Sequence, residues 1–227
     1  MKTIGLLGGM SAESTTLYYQ AMNAQVRERL GGLHSAQLLL WSIDFAPMAQ
    51  WQADGDWDRA GAFLADGAAR LEGAGAQAIM ICANTMHIVA DLVQAKVGVP
   101  VIHIADATAA AVKGKGCSRP LLLATRFTME KPFYRERLAS KGVEAVVPNQ
   151  ADRDRLHAII YDELCQGVIS PASKAEVLAM VARSPEADCV IFGCTEIGLL
   201  LSPQDLSVPV IDTAIVHAEA GVDFALG

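Results

Sequence analysis

Residues 78–90 read AIMICANTMHIVA, and their pattern decides the class of fold. Ala78 to Cys82 is apolar at every position, so this run lacks the alternation of a strand with one wet face. It breaks at Ala83, Asn84 and Thr85 and resumes as a helix-like stretch, read as Thr85–Lys96. A strand buried on both faces that turns directly into a helix is half of a parallel βαβ unit. Residues 190–200, VIFGCTEIGLL, repeat the arrangement with an apolar run that stops at Gly193, Cys194, Thr195 and Glu196.

Working outward, short β-branched or leucine-rich runs predict strands at Thr3–Leu7, Gln37–Ile43, Ala78–Cys82, Val101–Ile104, Pro120–Leu123, Ala145–Val147, Cys189–Phe192 and Val208–Ile211. Helical patterns lie between most of them: Ser14–Arg29, Asp56–Glu72, Thr85–Lys96, Lys131–Lys141, Asp152–Gln166, Ser173–Ala182 and Thr213–Ala225. Strands and helices in alternation predict an α/β fold with mostly parallel sheets flanked by helices.

The chain also repeats itself. LLGGMSAESTTLYY (6–19) lines up with LLATRFTMEKPFYR (122–135), setting Tyr18 over Tyr134, and VGVPVIHIADATA (97–109) with LSVPVIDTAIVHA (206–218), setting Pro100 over Pro209. The shared order of elements predicts two pseudo-symmetric α/β domains, residues 1–105 with 213–227 and residues 106–212. Ligands of such folds gather at the carboxyl ends of the strands, so the expected site is a crevice between the halves. The loops after Leu7, Cys82, Leu123 and Phe192 should converge there, each opening a helix whose free N–H groups suit a carboxylate. An acidic small molecule is the natural guest.

Composition narrows the function classes. The 227 residues are 52% hydrophobic and 19% charged, with a formal charge of −7, which offers no footprint for nucleic acid or an anionic membrane. No apolar run reaches the ~18 residues of a membrane span, and MKTIGLLGGMSAEST at the N-terminus reads as a first strand and not a signal peptide. Five cysteines (82, 117, 165, 189 and 194) form no disulfide framework, which points to reduced thiols in the cytoplasm.

Other motifs fail on spacing. The glycines at 5, 8 and 9 miss the dinucleotide pattern and no Lys precedes Ser14, leaving a tight turn with Ser11 or Ser14 as an N-cap. Cys82 with His87, and Cys189 with Cys194, belong to no four-ligand set of zinc spacing, so no metal is expected. His103 and His217, near the VPVI strands, read as polar lining or satisfied structural groups. Cys194 stands apart, because a helix opening after it would lower its thiol pKa, whereas Cys117 and Cys189 read as small buried residues.

Taken together, CANTMH and GCTEI make the chain resemble the aspartate/glutamate racemase family, relatives of hydantoin racemases and arylmalonate decarboxylase. The likeness extends through IGLLGGMSAEST (4–15), SIDF (42–45), GDW (55–57), TRFTME (125–130), YDELCQG (161–167) and VPVIDT (208–213). The resemblance implies a cofactor-independent amino acid racemase, PLP-free and usually homodimeric, acting on aspartate- or glutamate-like substrates. In such enzymes two cysteines, one per half, exchange a proton with the α-carbon while donors stabilise charge on the carboxylate. Residue by residue, Cys194 matches the second-half cysteine, while Asn84, Thr85 and Thr195 match carboxylate-binding positions. Met10, Ser11, Thr125, Thr128 and Glu196 fall in the convergent loops, with Gln52 and Glu163 as weaker candidates for the distal carboxylate and the amine.

The first-half position departs from the pattern, since Ala83 stands where the family's other cysteine precedes NT. Cys82 is one residue early, and its side chain should face the packed sheet. Alanine transfers no proton, which leaves water, Thr85 or a displaced Cys82 to oppose Cys194. Two other functions stay open: single-cysteine decarboxylation of a substituted malonate, and binding of acidic amino acids without turnover.

Overall fold

A computed structural model describes all residues from Met1 to Gly227, and they divide into two compact units. Met1–Ile104 and His217–Gly227 form the first, and Ala105–Val216 the second. Unit 1 contains β1 (Ile4–Gly8), α1 (Ala12–Leu30), β2 (Leu38–Ser42), α2 (Phe45–Asp54), α3 (Trp57–Gly73), β3 (Ala78–Ile81), α4 (Ala90–Lys96) and β4 (Val101–Ile102). Its four strands are parallel, in the order β2-β1-β3-β4.

Unit 2 contains β5 (Pro120–Leu123), α6 (Arg126–Glu130), α7 (Pro132–Ser140), α8 (Gln150–Ala158), α9 (Pro171–Ala182), β6 (Cys189–Phe192), α10 (Ile197–Leu200) and β7 (Val210–Asp212), preceded by α5 (Ile104–Gly114), which starts one residue before the unit. Its strands are parallel in the order β5-β6-β7. The last helix, α11 (Thr213–Leu226), begins in unit 2 and continues into unit 1. The four-stranded sheet reverses its strand order beside β1, so the loops after β1 and β3 are neighbours; β5 pairs with β6, so the loops after those two strands are neighbours as well. No helix is long and apolar enough to cross a membrane.

Helical spacing explains the packing. In α3 the residues Ala60, Leu64, Ala68 and Leu71 are buried, one stripe of a helix whose other face is polar. Truncating a fully buried residue such as Leu64 to Ala costs about 2–5 kcal/mol. In α1 the stripe is Tyr18, Met22 and Val26. Gly221 brings α11 close, since a Cβ there would lie 2.5 Å from Met80 Sδ.

Several elements differ from the sequence reading. Phe45–Asp54 and Ile104–Gly114 are helical where no helix was expected. Asp44 caps the first of these by accepting the Ala46 N–H, and Pro47 sits in its first turn, where a missing N–H costs nothing. Ala145–Val147 is no strand: only Val146 bridges to Leu121. The expected helix Thr85–Lys96 opens as a tighter 3-10 turn, Thr85–Val89. There the His87 N–H bonds Asn84 O, three residues back, while the His87 ring bonds the Ala83 carbonyl. The expected Asp152–Gln166 helix gives way after Ala158 to a π turn, Ile159–Glu163, and a 3-10 turn, Leu164–Gln166.

Candidate active site

Unit 1 carries candidate residues on the turns after β1 and β3. Gly9 leaves β1 with φ of 88°, and a Cβ there would lie 2.4 Å from Ile43 O, so both backbone angle and space require glycine. The Gly9 N–H donates to Thr15 Oγ1 at 2.7 Å, and that hydroxyl donates to Ser11 O at 2.7 Å. Ser11 is the N-cap of α1, its hydroxyl accepting the Ser14 N–H at 3.2 Å. Met10 and Ser11 are thereby buried within a closed turn. Gln52, buried on α2, reaches across to donate to Met86 Sδ at 3.0 Å.

The turn after β3 presents Ala83, Asn84 and Thr85, all buried. His87 locks it. The Ile104 N–H can only donate, so His87 Nε2 accepts it at 3.1 Å, and Nδ1 carries the proton given to Ala83 O at 2.8 Å. His217 is fixed by the same logic, with Nε2–H donating to Ile102 O at 2.7 Å and Nδ1 accepting from the Tyr18 hydroxyl at 2.8 Å. Burial pushes its pKa down to about 4. The rings of His87 and His103 lie 4.5 Å apart, centre to centre. Cys82 is fully buried, and burial pushes its thiol far up, as expected for a core residue.

Unit 2 supplies the turns after β5 and β6. Thr125 caps α6, its hydroxyl accepting the Thr128 N–H at 3.4 Å and lying 3.3 Å from the Thr128 hydroxyl. Beyond β6, Cys194, Thr195 and Glu196 form one buried cluster. Cys194 Sγ donates to Glu196 Oε2 at 2.9 Å, and Thr195 Oγ1 donates to the same oxygen at 2.8 Å. Burial pushes the Cys194 thiol well above its ordinary range, and the Glu196 charge pushes it further. The expected lowering by a helix N-terminus is therefore overturned. The helix that follows, α10, has only four residues and starts after Glu196, too little dipole to offset desolvation.

Two neighbours of Cys194 lay outside the sequence reading. Burial raises the Tyr161 hydroxyl pKa, and after burial Cys194, Cys165 and Glu196 contribute most. Cys165 also acts on the Cys194 thiol. Both residues come from the π and 3-10 turns after α8. A π turn is a frequent mark of functional sites, but YDELCQG reads locally as plain helix. Glu163 in the same segment is held elsewhere in unit 2, accepting from the Ser173 hydroxyl and pairing with Arg155 at 3.4 Å.

Backbone hydrogen bonds give the two turns a common register. The Cys82 N–H donates to Leu7 O at 2.9 Å, and the Gly193 N–H donates to Leu123 O at 2.7 Å. In the ladders Leu7 pairs with Ile81 and Leu123 with Phe192, so Ala83 is the positional counterpart of Cys194. Both are 7% exposed, so the difference between them is chemical.

The family model described as Asp/Glu/Hydantoin racemase matches residues 7–221. The broad specificity amino-acid racemase RacX of Bacillus subtilis is 24% identical over 226 residues, 96% of each chain. A solved structure of a candidate Asp/Glu racemase from Yersinia pestis is 48% identical, covers 100% of both chains and has a TM-score of 0.92. The structure of an aspartate racemase homologue from Pyrococcus horikoshii is 36% identical, again over 100% of both chains, with a TM-score of 0.86.

Proposed function

Since the chain belongs to the Asp/Glu/hydantoin racemase family, we propose that this amino acid racemase moves the α-proton of aspartate- or glutamate-like substrates, with Cys194 as the acid–base group on one face. The observation that carries this reading is the buried hydrogen bond from Cys194 Sγ to Glu196 Oε2. A thiol that burial keeps protonated holds its proton for the carbanion, a far stronger base, and the carboxylate beside it is the nearest acceptor for that proton when thiolate is needed. Thiolate removes the α-proton, the electron pair delocalises into the α-carboxylate, and the hydroxyls and N–H groups of the loops stabilise that charge. Ser11, Asn84, Thr85, Thr125, Thr128 and Thr195 are the groups for that task.

On the other face Ala83 offers no proton, and Cys82 is buried as a core thiol. Water or Thr85 then returns the proton, so the two hands of the substrate exchange at unequal rates. The scheme uses no cofactor and needs reduced thiols, which suits a cytoplasmic enzyme; by family resemblance we take it as a homodimer.

The test is α-deuterium incorporation in heavy water, followed by NMR for each enantiomer of aspartate and glutamate. Unequal incorporation that disappears in Cys194→Ala is expected. Equal, fast exchange of both hands that survives that change overturns the proposal. Ala83 also favours a second reading, decarboxylation of a substituted malonate, because loss of carbon dioxide makes the carbanion and Cys194 alone protonates it. Turnover of malonates without amino acid exchange selects that reading.

A further inference from the structure

A second group of reactive side chains lies at the opposite end of the strands that carry Cys194. Cys189 is the first residue of β6, and Cys117 stands three positions before Pro120, its ladder partner on β5. The Cys117, Cys189 and Asp188 ligand atoms all lie within 4.8 Å of one another. Both cysteines are buried, while Asp188 is partly exposed. The loops bearing Thr125 and Cys194 leave the other ends of β5 and β6, roughly 13 Å away for a four-residue strand. The candidate active site therefore uses none of these three side chains.

We propose that Cys117, Cys189 and Asp188 form a site for a thiophilic divalent cation of the zinc type, which ties β5 to β6. Bonds of about 2.3 Å to sulfur and about 2.0–2.2 Å to oxygen put tetrahedral ligands about 3.5–3.8 Å apart, inside the observed spread. Two thiolates favour zinc or cadmium over magnesium or calcium. Asp188 is already oriented, since its Oδ2 accepts the N–H groups of Ser118 at 2.6 Å and Arg119 at 2.9 Å and the Ser118 hydroxyl at 3.3 Å. Its Oδ1 accepts the Arg119 N–H at 3.0 Å, and the Cys189 thiol also bonds this carboxylate, a contact that a shared cation replaces once the thiol gives up its proton. Water from the exposed Asp188 side completes four ligands. Binding exchanges the two thiol protons for the metal, with no change of oxidation state. The cysteines are 72 residues apart, which is why ligand spacing along the chain does not reveal the site.

The experiment uses the full chain, reduced and stripped of metal by a chelator. Cadmium is titrated while the thiolate-to-metal ultraviolet band is followed, and zinc retention is measured by native mass spectrometry. The expected result is one equivalent per chain and a higher thermal midpoint. Cys117→Ser, at the more accessible cysteine, abolishes the band, and Asp188→Asn weakens binding at least about tenfold. Cys194→Ser, probed in the same way, keeps both the band and the stoichiometry. A band that survives Cys117→Ser but is lost in Cys194→Ser overturns the proposal by placing the metal at the candidate active site. No retained metal at equimolar zinc, or a chain two hydrogens lighter that carries a Cys117–Cys189 disulfide instead, overturns it as well.

Discussion

At the end of β3 the Cys82 N–H bonds Leu7 O, and at the end of β6 the Gly193 N–H bonds Leu123 O, so Ala83 and Cys194 occupy one position in two versions of a turn. The backbone is preserved and the chemistry is not. Beyond that position the versions separate further. In unit 1 the Ala83 carbonyl accepts from the His87 ring where the chain enters a 3-10 turn. In unit 2 the side chains turn on each other, with Cys194 and Thr195 both donating to Glu196. One turn closes on its own backbone carbonyl, whereas the other concentrates titratable groups. A duplicated scaffold can therefore keep its geometry while only one copy keeps an acid.

The second pair of equivalent positions lies on the helices after the VPVI strands. Tyr18 of α1 bonds His217, and Tyr134 of α7 lies 3.3 Å from the Thr108 hydroxyl. Thr108 and His217 align in the internal repeat, so the same tyrosine anchor is partnered by a titratable ring in one half and a hydroxyl in the other.

The largest test of the comparison is Cys194→Ala, which should lower α-proton exchange at least about a thousandfold, measured by deuterium incorporation at saturating substrate. Next is acid. His217 has a folded pKa of about 4 against an ordinary 6.5, so the unfolded chain binds its proton first. Its contribution to stability is complete above pH 6.5 and is lost as pH falls toward 4, a loss of about 3 kcal/mol. Urea unfolding across that window should show the slope in the wild type and a flatter one in His217→Gln. Tyr134→Phe should cost about 1 kcal/mol with the acid slope retained.

Restoring the missing acid is the third test. Ala83→Cys should raise exchange of the slower enantiomer about a hundredfold and bring the two hands closer together, read by deuterium incorporation for each enantiomer. The smallest effect is expected from Glu196→Gln, which removes a charge that raises the Cys194 thiol. Its pKa should fall, moving alkylation by iodoacetamide to lower pH, while exchange slows by about tenfold as the proton acceptor is lost.

Much of this was legible from the residues alone. Apolar runs that do not alternate mark Thr3–Leu7 and Cys189–Phe192 as buried parallel strands, found at Ile4–Gly8 and Cys189–Phe192, and Pro132–Ser140 and Thr213–Leu226 lie within one residue of the helical patterns read for them. Such features are local, set by side-chain periodicity and turn chemistry within a few residues. Phe45–Asp54 was missed because its aromatic and apolar residues keep no clear polar face.

By itself the sequence determined the α/β class, the two-fold repetition, the family and the contrast between an alanine and a cysteine in matching loops. Tertiary structure decided what depends on neighbours distant along the chain. It put Ala83 and Cys194 in one hydrogen-bond register, and it turned the expected low thiol pKa at Cys194 into a raised one, because burial and Glu196 outweigh a four-residue helix. It brought Tyr161 and Cys165 to that thiol and set Cys117 beside Cys189. Desolvation and through-space proximity belong to the folded chain, and no local pattern of residues encodes them.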